Sequence, residues 1–315
     1  MGHLSFRRSR GVQRSAHLAA IALPVIFLSS AACGQSAGQE MSAESRGSTP
    51  SSSANAPTNA EYPQWTLRLE PMAWYAAFAG DLNMPGLSGS NQHTFDIENF
   101  DLDEPQWSPV GFVHLQLDKW RISVGGVVVS GNDQEGTMDE GGLLGDLNLA
   151  AGDRTRSSID FWSAEAQVGY RLIHQRMGTT STGGDRVVFG LEPVVGMRMY
   201  SADVEVAALS GASSGQSISA DDTFYEPIAG VKLEGEFAEQ FTVDLQTNLG
   251  YGPWNDRESF SWDIMVGGAW RPVPNFGVRI GYRQLLFDLQ SGSGSETFEF
   301  DGSLAGLMLG IELRF

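Results

Sequence analysis

From Trp65 onward, apolar and polar residues alternate with a period of two, as they do in strands whose successive side chains point to opposite faces. The last segment, 303–315, is the clearest case. One parity reads Ala305, Leu307, Leu309, Ile311, Leu313, Phe315, and the other reads Leu304, Gly306, Met308, Gly310, Glu312, Arg314. A single alternating strand would suit a soluble sandwich equally well, so the repetition carries the argument. Ten segments show the alternation: 65–75, 107–117, 120–130, 159–172, 187–200, 224–237, 241–251, 260–271, 276–289 and 303–315. They predict an all-β, antiparallel up-and-down barrel of about ten strands, with eight and twelve also compatible with the pattern.

Aromatic residues bracket the apolar parity of several segments: Trp65 with Tyr75, Trp162 with Tyr170, Tyr225 with Phe237, Phe241 with Tyr251, and Phe260 with Trp270. At a rise of roughly 3.3 Å per residue and a tilt near 45°, such spacings cover about 20 to 28 Å. A transmembrane barrel carries an apolar band of about 25 Å between two aromatic girdles. The connections also alternate. Residues 118–119, 238–240 and 272–275 are short links, whereas 76–106, 131–158, 201–223, 252–259 and 290–302 are mostly longer, which fits short turns on one side of a membrane and long loops on the other. Segment 173–186 is too long for its place in this alternation.

Composition narrows the class. No apolar run approaches the roughly 20 residues of a transmembrane helix, and the single cysteine, Cys33, excludes an intramolecular disulfide framework. The formal charge is −18; without the four arginines of residues 1–32 it becomes −22, an excess that argues against nucleic acid as a partner. Residues 1–32 have an Arg-rich start, an apolar stretch over 16–28 and small residues before Cys33, the pattern of a secretory signal peptide. A cysteine in that position resembles the acylated cysteine of bacterial lipoproteins, which makes Cys33 a candidate for lipidation, with ordinary cleavage near Ala32 as the alternative. Residues 33–63 are mostly small and polar and read as a disordered periplasmic linker ahead of a barrel domain at 64–315.

The barrel pattern together with the closing Gly310-Ile311-Glu312-Leu313-Arg314-Phe315 resembles the small outer-membrane β-barrel proteins of Gram-negative bacteria, the group that includes OmpA-like and OmpW-like barrels. The resemblance implies an integral outer-membrane protein surrounded by outer-membrane lipids. It also implies that Phe315, with its outward neighbours Leu313 and Ile311, is the assembly signal read by the barrel-assembly machinery.

Pro71, Pro193 and Pro227 fall inside predicted strands, each after a glutamate. Proline cannot donate to a ladder, so bulges are expected there, with Glu70, Glu192 and Glu226 turned inward. On the inward parity lie eight basic residues, Arg68, Arg121, Arg171, Arg198, Lys232, Arg279, Arg283 and Arg314, and nine acids, Glu70, Glu165, Glu192, Glu226, Glu234, Glu236, Asp244, Asp263 and Glu312. The near balance suits a network of paired charges filling a narrow lumen better than a wide selective pore.

Catalytic and metal readings are thin. Beyond residue 32 only His93, His114 and His174 remain, and no hydrolase, metalloprotease or phosphate-loop motif occurs. Two acidic loop clusters, Asp96, Glu98, Asp101, Asp103, Glu104 and Asp133, Glu135, Asp139, Glu140, Asp146, do not follow the EF-hand pattern. The expectation is therefore a non-enzymatic barrel for envelope integrity or limited passage of small solutes, without a cofactor. A lipid-modifying outer-membrane enzyme, or a surface-binding barrel acting through its acidic loops, are the alternatives.

Overall fold

The computed structural model describes residues 65–86, 93–180 and 183–315. The candidate signal, Cys33 and the linker lie outside the described residues. Fourteen strands follow in order: β1 (Trp65–Asn83), β2 (Phe95–Asp96), β3 (Gln106–Leu117), β4 (Trp120–Thr137), β5 (Gly142–Leu144), β6 (Leu147–Leu149), β7 (Arg154–Tyr170), β8 (Ile173–Thr179), β9 (Asp185–Ala208), β10 (Ser217–Phe237), β11 (Phe241–Trp254), β12 (Arg257–Val273), β13 (Phe276–Ser291) and β14 (Phe298–Arg314). Ten of them form an antiparallel ring, β1-β3-β4-β7-β9-β10-β11-β12-β13-β14, which closes where β14 pairs with β1. Phe315 completes that seam by exchanging backbone hydrogen bonds of 2.9 and 3.0 Å with Leu67. The fold implied by the resemblance is the fold observed.

All ten predicted segments are wall strands, but most run further than the sequence indicated, and β9 has 24 residues. The extra length is mostly at the long-loop end, where the polarity of each strand inverts. Along β9 the outward side chains are Val195 and Met197 and then become Asp203 and Glu205, while the inward ones change from Glu192 and Arg198 to Ala202, Val204 and Val206. In β14 the outward series passes from Ile311, Leu309 and Leu307 to Asp301, as the inward series passes from Glu312 to Phe300 and Phe298. The outer surface is therefore greasy in the half nearer the termini and charged in the other. The boundary falls at an aromatic ring in which Tyr75 meets Trp107 at 5.0 Å. A second ring lies at the short-turn end, where Trp120 meets Tyr170 at 4.9 Å. Trp65 and Tyr75 are ten residues apart on one exposed face, about 23 Å along the barrel axis, so the belt matches a bilayer's hydrocarbon core. Among the described residues no helix is long and apolar enough to cross a membrane; the crossing is made by strands.

Three expectations are corrected. The prolines do not cause bulges. Pairing of β1 with β14 skips Glu70 and Pro71 and resumes in the same register, and β9 pairs with β10 through Pro193 and Pro227 without a shift. The register shifts fall between Gly131 and Gln134 and between Trp270 and Val273, the second of which contains a different proline, Pro272. Two of the wall prolines, Pro227 and Pro109, instead stand where a ladder ends. The β10–β11 pairing stops at Ile228, next to Pro227, and the β3–β4 pairing stops at Val110, next to Pro109. The over-long segment 173–186 is a hairpin, since β8 takes over from β7 as the partner of β9 at the point where Pro193 stands. Finally, residues 252–259 form no long loop. β11 and β12 pair as far as Trp254 and Arg257, leaving a two-residue turn whose first residue, Asn255, has φ of 55°, a conformation asparagine tolerates.

The seam gives a direct test of closure. Gly80 has φ of 133°, and a Cβ there would lie 2.2 Å from the Asp301 carbonyl oxygen across the β1–β14 ladder. Gly80→Ala is expected to destabilise the refolded barrel by at least about 1 kcal/mol. Denaturant titration should show an earlier midpoint than for Gly302→Ala, whose backbone is not in the left-handed region.

Candidate functional site

The ring is narrow enough for inward side chains to meet across it, and they form two strata. The stratum nearer the termini is ionic. Arg198, 1% exposed, donates through Nε and Nη2 to Glu165 at 3.0 and 2.7 Å, through Nη2 to Asp263 at 2.6 Å, and through Nη1 to Tyr200 Oη at 3.1 Å and Ser261 Oγ at 3.2 Å. Arg283 grips the same Asp263 from β13 with bonds of 3.0 and 2.7 Å, and its guanidinium lies over the rings of Trp74 and Phe112. Glu226 accepts from Tyr200 Oη at 2.8 Å and from Ser261. It has room because the facing residue is Gly250, whose Cβ would fall 2.4 Å from its carboxylate.

Nearer the termini, Glu70 bridges Arg68 at 3.0 Å and Arg279 at 3.3 Å, and Arg279 binds both oxygens of Asp244 at 2.6 and 2.7 Å. Glu312 receives Arg271 at 3.2 Å and Arg314 at 3.1 Å. All seventeen inward charges expected from parity face the lumen. Arg271, 2% exposed and also bonded to Thr242 and Glu236, joins them. Arg271 is the last residue of the predicted segment 260–271 and shares the parity of Asp263 and Met265, the signal that marks it as inward. With Arg271 the lumen holds nine bases and nine acids among the described residues. His114 bonds Ser123 at 2.8 Å, faces Glu70 at 3.7 Å and stacks on Phe112, which gives it a packing role inside the network.

The neutrality is not uniform along the axis. Arg198, Arg271, Arg279 and Arg283 are outnumbered by Glu70, Glu165, Glu226, Asp244, Asp263 and Glu312, by two charges. The short-turn mouth carries the reverse excess. There Arg68, Arg121, Arg171, Lys232 and Arg314 line a cavity of about 180 Å³ together with Glu192, Glu234 and Glu236.

The second stratum, towards the long loops, is apolar and was not foreseen. Phe78, Phe161, Phe287 and Phe300 project from the wall, with Phe161 stacked on Phe287 at 5.5 Å. From above, loop residues enter the same core: Phe95, Ile97, Phe100 and Leu102 from one connection, and Met138, Leu144, Leu147 and Leu149 from the next. The first group is carried by a short 3₁₀ helix, Ile97–Phe100. Asp96 caps it by accepting from the Glu98 amide at 3.0 Å, and Asn99 Oδ1 accepts from the Asp139 amide at 3.0 Å, joining the two loops.

Several loop acids thus serve the architecture. Glu135 pairs with Arg154 and Arg156 across the β4–β7 ladder, and Glu140 lies 3.2 Å from His93. Among the described residues no group of three or more His, Cys, Asp or Glu side chains is arranged to hold a metal ion.

Outside the barrel and beyond the greasy belt, acids face one another on adjacent strands. Asp203 pairs with both Asp160 and Asp221, and Asp81 with both Asp301 and Asp96. Partial burial, then the neighbouring carboxylates, raise the pKa of Asp81 and of Asp203 above the ordinary carboxylate range. A carboxyl with a raised folded-state pKa binds its proton more readily folded than unfolded, so stability rises as pH falls through that pKa and is lost as pH rises.

Two outcomes follow. Mild acidification should raise the unfolding midpoint of the loop-side extension, modestly because these groups face water, and Asp203→Asn should raise it at neutral pH and flatten its pH dependence; hydrogen exchange of β9 and β10 amides is the measurement. In the lumen, Asp263→Ala strands two buried guanidiniums, and unfolding in lipid vesicles should show a loss of about 3 to 5 kcal/mol.

No protein-family model matches the chain, and no curated protein matches it by sequence. Solved structures do. The outer-membrane protease OmpT of Escherichia coli is 9% identical over 79% of this chain and 97% of its own, with a TM-score of 0.43. Ail, the attachment invasion locus protein of Yersinia pestis, solved with a heparin analogue, is 12% identical over 80% of this chain and 99% of its own, at 0.33. The toluene transporter TodX of Pseudomonas putida is 12% identical over 80% and 90%, at 0.25. At such identities and superpositions the matches transfer no activity to this chain.

Proposed function

We propose that this chain is an integral outer-membrane barrel that conducts nothing and serves the envelope as a sealed, wall-like element presenting a rigid extension beyond the bilayer. One observation carries the reading: the lumen is obstructed twice in series, by the ionic stratum and by the apolar plug above it. An open porin lumen is polar and wet, whereas here Phe161, Phe287 and Phe300 are at most 2% exposed in the path a solute would take. Limited solute passage, which the balanced charges alone would have allowed, is therefore the weaker reading. The exposed belt between two aromatic rings supports residence in the outer membrane. The two hydrogen bonds between Phe315 and Leu67 fit the proposed assembly role of Phe315, Leu313 and Ile311, because the signal would then also be the closing element of the ring.

A catalytic reading receives less support. His114, at the inner wall of the short-turn cavity, is buried and held between Ser123 and Glu70, and His93, on the surface, faces Glu140 with no nucleophile identified beside the pair.

Planar bilayers provide the test. The wild-type protein is expected to give no steady conductance. Arg279→Ala with Arg283→Ala should destabilise the barrel yet still give no porin-sized steps, because the apolar plug is independent of the charges. Stable single-channel steps from the unmutated protein would show that the lumen is open and would overturn the reading.

A further inference from the structure

We propose that the cavity at the short-turn mouth of the barrel is a binding site for a phosphate-class dianion. The argument begins with where the charge sits. The eighteen lumen charges cancel, but five cations and only three acids line the space where there is room for a ligand, with Arg68 and Arg314 reaching to Glu70 and Glu312 of the packed layer. A packed stratum can satisfy its groups by direct pairing; an open cavity with surplus cations leaves them to solvent or to an anion.

The cavity cations differ in how well they are engaged. Arg121 is held by Glu234 at 3.1 Å and Glu192 at 3.4 Å. Lys232, 3% exposed, makes no hydrogen bond among the described residues, and Glu234 at 3.9 Å is its one ion-pair partner. Arg68 spends Nε on Glu70 and Nη1 on Glu234, while its buried Nη2 has no hydrogen-bond partner. Arg171 stands half-buried at the cavity wall from the link between β7 and β8. Glu234 is thus shared among Arg68, Arg121 and Lys232, and since Arg68 and Arg121 also have Glu70 and Glu192, the least satisfied donors are Lys232 and the Nη2 of Arg68.

The ligand class follows from the number and kind of donors. Two cavity cations, Lys232 and Arg171, have no ion pair shorter than 3.9 Å among the described residues, and two such charges match a dianion better than a chloride or a single carboxylate. Guanidinium forks beside an ammonium suit a tetrahedral oxyanion, which accepts bidentate bonds from arginine and a point contact from lysine. The cavity of about 180 Å³ has space for such a group with some of its water. The ligand comes from the side on which both ends of the described chain lie, because the ionic stratum and plug close the other side.

The test titrates the full-length refolded protein with inorganic phosphate by calorimetry, holding ionic strength constant with chloride. Saturable binding of one phosphate per chain is expected. Lys232→Met and Arg171→Gln should each weaken it about tenfold or more, and Asp203→Asn, far outside the cavity, should leave it unchanged. Arg171 is at the rim and not in the packed network, so Arg171→Gln keeps the fold if Lys232→Met does not. Glycerol phosphate, titrated in parallel, separates the two sources of this chemistry: tighter binding than phosphate points to a phosphomonoester such as a lipid headgroup, and weaker binding to the free ion. Absence of saturable binding, equal binding by the Arg171→Gln protein, or loss of all binding when phosphate competes with chloride at fixed ionic strength would overturn the proposal. None of these results depends on whether the barrel conducts.

Discussion

A strand that crosses hydrocarbon must have its backbone hydrogen bonds satisfied by neighbouring strands, and only a closed ring does this without an edge. Most other features of the structure can be traced to that requirement. The chain places three of its wall prolines where a lost donor matters least: Pro109 and Pro227 beside the loop-side aromatic ring, and Pro193 where β8 replaces β7. Pro71 lies within the belt, and there the register resumes unchanged two residues later. The polarity inversion has the same origin. Where the outside is lipid, polar side chains turn inward; where the outside is water, they turn outward and the apolar ones fill the core.

Closure also fixes how the interior can be charged. Side chains that meet across a ten-strand ring cannot keep isolated charges, since the desolvation penalty of each would be several kcal/mol. The arrangement in which Arg198 and Arg283 converge on Asp263, while Arg198 also binds Glu165, satisfies most donors within one layer. Such layers behave as units, because removing Asp263 takes both hydrogen bonds from Arg283 and one from Arg198, which keeps Glu165. The apolar plug imposes no comparable requirement of partner identity; it needs only filled volume. The two strata are thus sensitive to different kinds of substitution, charge deletion in one and volume change in the other.

The wall was legible in the sequence because its code is local. Parity alone placed all ten strands, the paired aromatics and seventeen inward charges, since each depends only on whether a residue is odd or even along one strand. The extension was missed because the same parity changes meaning at the membrane boundary. Phe298 and Phe300 fall in the segment 290–302 read as a connection, when they continue the inward parity of β14 into a water-exposed segment. Arg271 was lost at an assigned strand end. The plug was out of reach for another reason: it joins Phe95 and Phe100 to Leu144, Leu147 and Phe287, residues far apart in sequence whose loops carry no period. The expected bulges failed because ending a ladder accommodates a proline as well as inserting a residue does.

These features together make the barrel a compartment open at one end. The plug seals the loop side, the ionic stratum seals the middle, and the space that remains opens on the side of the termini with an excess of positive charge. On the function proposed above, a solute could bind in such a compartment but would have no path across, so exchange with an anion would be a matter of occupancy and not of flux. The charge imbalance would then couple the two levels. An anion at the mouth would give Lys232 and Arg171 a partner and relieve Glu234 of part of its sharing, so occupancy of the mouth and the stability of the network beneath it should rise and fall together.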